Sequence, residues 1–176
     1  MCDKLNRVQM YENNLKEIER LDKTQLSQML QYKNENVISR FTDMFDVKEA
    51  EAEDIFEETK KFLFLAQVRG IMIPDELLII DEMWHNFILF TKDYHEFSQN
   101  IFKKYMHHLP ASKSEKEAYA NAVGEEKERL KAEFENKLRL LMNLTYENFG
   151  EETLMKWFKE YPEKYSSSNI KALRKK

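Results

Sequence analysis

The histidines of this 176-residue chain, His85, His95, His107 and His108, all fall within one short stretch, and the remainder has none. The stretch also holds a carboxylate at a telling distance: in "DEMWH", Asp81 precedes His85 by four residues. On a helix, residues four apart lie about 40° apart around the axis and one turn along it, so both groups face the same way. A carboxylate and an imidazole in that register can share a proton or a cation. Bundle interiors are where carboxylate and histidine metal sites are built.

The helix that carries the pair is apolar nearly all round. Leu77, Ile80, Met83, Trp84 and Phe87 fill one broad face, while Leu78 and Leu89 flank His85 and Ile88 flanks Asp81. Such a helix is normally covered on several sides, so Asp81 and His85 are expected inside, or at the edge of, a helical bundle. A buried carboxylate must be compensated. Three arrangements satisfy it: a structural hydrogen bond to His85, an ion pair with Lys92 or Arg69, or a metal ion held jointly with His85.

A metal needs further ligands. His95 is excluded on a straight helix, because ten residues at about 1.5 Å each set it roughly 15 Å further along. His107 and His108 are the remaining candidates if the chain folds back after a turn near Thr91, with His108 favoured. The expected metal set is therefore Asp81 and His85 with His108 or His107. One carboxylate and two imidazoles with open positions suit non-haem Fe(II) or catalytic Zn²⁺, and such an ion activates oxygen or water. No phosphate-binding glycine loop, nucleophile elbow or cysteine-rich zinc motif accompanies these residues. The expected function is a metal-binding helical protein, with a non-haem metal-dependent enzyme of unassigned substrate as its fuller form. The alternative is a non-catalytic helical protein–protein interaction module in which the Asp–His pair is structural.

The elements that must position these residues are helices. Three glycines and three prolines in the whole chain leave too few turn residues for a sandwich or barrel. The expected fold is an all-α bundle of five to six helices, with one domain over residues 1–165 and a flexible basic tail over 166–176. Asp3 can cap a first helix with the stripe Leu5, Val8, Tyr11, Leu15 and Ile18. A second starts at "DKTQLSQMLQ" and runs through Val37, Ile38 and Phe41 toward Phe45. Asp46 and Glu49 resemble a capping box for a third, which stops at Gly70. Pro74 opens the site helix. Ser112 and Glu115 form a second capping box ahead of a long helix ending at Gly150, with a break at Gly124 allowed for. A short helix with Trp157 ends before Pro162.

The net charge of −4 offers no general field for nucleic acid, so a small molecule or a protein is the expected partner. One cysteine, Cys2, fits a reducing, cytoplasmic setting. The N-terminus lacks the apolar region of a secretory signal, and no run is long enough to span a membrane.

"DEMWH", the aromatic series Phe87, Phe90, Tyr94, Phe97 and Phe102, and "HHLP" together resemble the Asp-x-x-Trp-His signature of the glycine-rich-domain-containing protein family. The resemblance covers roughly residues 40 to 160. It implies that Asp81, Trp84, His85 and His108 belong to one site, and it implies no particular reaction. The chain departs from that pattern in having Ser98 and Lys103 where cysteine and glycine are expected, and in lacking a glycine-rich region.

Overall fold

A computed structural model describes residues 21–109 and 112–175. The helix expected from Asp3 to Ile18 lies outside the described residues, as do Cys2 and Pro110. Within them the chain is all-helical, apart from an isolated bridge between Phe45 and Arg174. There are more helices than the five or six expected, because local turn chemistry cuts several long periodic stretches into pieces.

The first division comes early. Helix α1 (Lys23–Gln31) is capped by Asp22, whose side chain accepts from the Thr24 N–H at 2.8 Å, and α2 (Glu35–Met44) is capped by Asn34. Apolar stripes lie on either side of the polar run from Lys33 to Asn36, and there Tyr32 is extended and Asn34 accepts from the Val37 N–H at 3.2 Å, starting a new helix. A lysine from the next element holds the break open. Lys60 on α3 (Glu49–Leu65) is buried and donates to the carbonyls of Leu30 at 3.1 Å and Tyr32 at 2.9 Å, beside the Phe56 ring. These are carbonyls that the end of α1 leaves without helical partners.

Burial lowers the Lys60 pKa to about 8. Between that value and the usual lysine range the unfolded chain binds the extra proton, so stability rises with pH across the window. We expect the wild type to gain up to about 2 kcal/mol from pH 8 to 10 relative to Lys60→Met. Urea unfolding of both proteins at the two pH values measures it.

Helix α3 is the central element, with Ile55, Phe56, Phe62, Leu63 and Leu65 among its buried residues. Its start differs from the expected capping box. Lys48 stands at the cap without a side-chain bond, and the backbone of Asp46 donates instead to Leu173 O at 2.7 Å. After Gly70 and Pro74, a 3₁₀ turn (Asp75–Leu77) leads into α4 (Leu78–Ile88), which packs along α3. Helix α5 (Thr91–Phe102) follows a sharp corner at Phe90, and a non-helical arm runs from Lys103 to Leu109.

The C-terminal half is built from α6 (Lys113–Asn121) and α7 (Gly124–Met155), then a π-helical turn (Lys156–Glu160), α8 (Tyr161–Lys164) and α9 (Ser167–Leu173). The Ser112–Glu115 capping box forms as expected. The break falls just before Gly124, whose φ of 57° no longer suits a helix interior. At Gly150 the backbone leaves the helical region (φ 81°, ψ −175°), so the long helix breaks there as expected and a second helical segment continues to Met155, while Pro162 sits in the first turn of α8 rather than beyond a helix.

Residues 166–173, expected as part of a loose tail, instead form a capped helix with Ile170 buried. Beyond it, the Lys175 N–H donates to Met44 O at 2.8 Å and Arg174 pairs with Glu82 at 2.7 Å. No helix among the described residues is long and apolar enough to cross a membrane.

Candidate metal centre

Helix α4 fixes two of the candidate ligands. Ile79, Ile80, Met83, Trp84 and Phe87 are buried, and this sets the rotation of the helix. Asn86 locks it further: its amide donates to Val37 O at 2.8 Å and its carbonyl accepts from Arg40 at 2.6 Å, tying α4 to α2. With that rotation fixed, Asp81 and His85 project from one edge of α4. Asp81 Oδ2 lies 3.5 Å from His85 Nδ1. The pair stands at the edge of the bundle rather than in its interior: the His85 side chain is 51% exposed and that of Asp81 25%.

The third group arrives from the arm. His108 Nε2 lies 2.7 Å from Asp81 Oδ1, and its side chain is only 10% exposed. Its ring packs 4.3 Å from Trp84 on one side and 4.3 Å from His85 on the other. Asp81 is therefore the common partner of both imidazoles. One ligand atom from each of Asp81, His85 and His108 falls within 4.8 Å of the others. Tetrahedral zinc with bonds of about 2.0–2.1 Å would set such atoms roughly 3.3 Å apart, a spacing that small side-chain rotations reach.

The other sequence candidates lie elsewhere. His107 is exposed and stacks 4.8 Å from Tyr105; adjacent residues in a non-helical arm face different ways, so only one histidine of the pair turns inward. His95 sits 6.1 Å from the same tyrosine and is outside the cluster. Glu82, the next residue after Asp81, is held by Arg174.

Tyr94, one of the aromatic series that follows the motif, lies behind the cluster. Tyr94 is fully buried, accepts a hydrogen bond from Trp84 Nε1 at 2.9 Å and donates one to Met106 O at 2.6 Å. Burial pushes its pKa up to about 12, so the hydroxyl keeps its proton. Near the middle of α3, Glu58 is buried among Lys61, Lys156 and the indole of Trp157, outside the metal cluster altogether.

The family model that matches the chain spans residues 16–145 and so contains Asp81, His85 and His108. The chain belongs to the UCP032817-like family. This corrects the resemblance to the glycine-rich-domain-containing proteins: the matching model belongs to a different and uncharacterised family. A five-residue signature with aromatic neighbours is too short to outweigh agreement over that span. No curated protein and no solved structure matches the chain. The UCP032817-like match ends within α7, whose C-terminal part lies with the π turn, α8 and α9 outside it.

Proposed function

We propose that this UCP032817-like protein binds a divalent transition metal through Asp81, His85 and His108. The observation that carries the reading is the convergence of one carboxylate and two imidazoles, from α4 and from an arm 27 positions along the chain, within 4.8 Å. Asp81 and His85 alone would be an ordinary helical pair. The addition of a largely buried His108 to the same carboxylate brings together the donor set that Fe(II) and Zn²⁺ use when open positions are retained. Such an ion supplies Lewis acidity, or a bound water acidified for attack.

The chain's own part would be to orient the donors. Asp81 faces both imidazoles, α4 fixes two side chains one turn apart, and the Trp84 ring meets His108 in a T-shaped contact at 4.3 Å. The exposed His85 edge leaves an approach for a further ligand.

The deciding measurement is metal content by mass spectrometry on protein purified without a histidine tag. Near-stoichiometric iron or zinc, or uptake of either to one equivalent after it is added back, is the expected result. Protein that neither carries nor takes up Fe²⁺, Zn²⁺ or Mn²⁺ would overturn the reading. In that event a helical interaction module is the second reading, favoured by Tyr119, Val123 and Phe134, which stand exposed along α6, the α6–α7 junction and the first half of α7.

A further inference from the structure

His108 is the one candidate ligand not placed by a helix. Among the described residues, no backbone–backbone hydrogen bond holds residues 104–109. Helix α5 ends at Lys103, which adopts φ 57°, a left-handed conformation that turns the chain away from the helix axis. Something else must bring the arm back to α4.

That attachment is visible. The Trp84 indole N–H donates to the Tyr94 hydroxyl, and the Tyr94 hydroxyl donates to the carbonyl of Met106, two residues before His108. Both rings are buried, and the Tyr94 ring is boxed edge-to-face by Phe87 at 5.1 Å and Tyr105 at 5.4 Å. A hydroxyl with one donor and one acceptor partner has a single orientation, so the two bonds fix each other. Trp84 lies between Asp81 and His85 on the same helix, which makes the relay a strut from the helix bearing two ligands to the arm bearing the third.

We propose that Tyr94 and Trp84 are positioning residues of the metal centre, acting through the Met106 carbonyl to place the His108 imidazole. This rests on the metal-binding reading and extends it to residues that touch no ion. Groups that orient a ligand from behind typically contribute ten- to hundredfold to metal affinity. The Tyr94 hydroxyl does so through the backbone rather than through the ring it positions.

Co²⁺ serves as the probe, because its visible spectrum and its affinity are both readable in one titration of the full-length protein. Tyr94→Phe should bind Co²⁺ at least about tenfold more weakly than wild type, with an altered visible band. Ile55→Val, a buried change in α3 remote from the arm, should lose stability and keep wild-type affinity. The decisive comparison is a double-mutant cycle. If Tyr94 works through His108, then Tyr94→Phe adds no further loss to His108→Ala.

Wild-type affinity in Tyr94→Phe, or losses that add in the double variant, would overturn the inference while leaving the metal site standing. Failure of wild type to bind Co²⁺ at all would remove both. Should Tyr94→Phe not fold, Trp84→Phe carries the test. It keeps a ring against His108 while removing the indole donor, and should weaken Co²⁺ binding severalfold; unchanged affinity there would equally overturn the proposal.

Discussion

Asp81→Ala is expected to weaken Zn²⁺ binding by at least about a hundredfold, roughly 2.7 kcal/mol, while the helical circular dichroism signal stays at its wild-type level. The expectation follows from the geometry of the carboxylate. It is the one group in contact with both imidazoles, at 2.7 Å from His108 and 3.5 Å from His85. Its removal would therefore take away one proposed ligand and the orientation of the other two, which should exceed the ten- to hundredfold that an orienting partner alone is worth. The fold should survive because the side chain sits at the bundle edge, a quarter exposed, and α4 is held by Met83, Phe87 and the Asn86 bonds.

His85→Ala gives the complementary result. Its half-exposed ring should cost little stability, within about 0.5 kcal/mol as for other surface sites, yet abolish tight binding. Isothermal titration with Zn²⁺ and urea unfolding of the same samples separate the two effects. Equal affinity in wild type and Asp81→Ala would exclude Asp81 as a ligand. A pair that served only the fold would show the reverse pattern, with stability lost and no metal effect to lose.

The largest effect on stability is expected at Trp157, in the π-helical turn. Trp157→Ala should destabilise the protein by about 4 kcal/mol, within the range for truncating a buried tryptophan. The ring is fully buried and packs 6.3 Å from Phe62 and 6.2 Å from Phe149. Two losses combine there. One is the cavity. The other is the indole donor to Glu58 Oε2 at 2.8 Å, whose absence leaves a carboxylate that is only 2% exposed with Lys61 and Lys156 as its remaining donors. A domain stable by about 5–15 kcal/mol would lose a large share of its margin.

Trp157→Phe should lie between, since it keeps most of the ring and loses the donor. Chemical denaturation followed by circular dichroism tests both variants, and a cost under about 1 kcal/mol for the alanine variant would show that the residues around the π turn collapse into the gap.

Much of the site was legible in local sequence. The helical class follows from the apolar periodicity and the scarcity of glycine and proline. The Asp81–His85 pairing follows from a spacing of four, a property of any helix and independent of what surrounds it. The Ser112–Glu115 cap is equally local, its reciprocal bonds spanning one turn. Other elements escaped for a physical reason. The division at Tyr32 falls beside the polar run from Lys33 to Asn36, a gap one helix could span, and it is stabilised by Lys60 from another helix donating to the carbonyls at the break. The Asp46 cap was overridden because its backbone is engaged by Leu173, far along the chain. Residues 166–173 read as a polar tail in isolation, and their order comes from Ile170 reaching a core that local sequence does not display.

The sequence by itself determined that this protein is helical and that a carboxylate and an imidazole share one face of an apolar helix. Only the tertiary structure decided that His108, and not His107, joins them. That choice depends on the corner at Phe90, the left-handed residue at Lys103 and one buried hydroxyl holding the Met106 carbonyl. The first two are backbone conformations outside the helical region and the third joins Tyr94 in α5 to the arm 12 residues further on, so helical periodicity no longer sets the direction of the side chain.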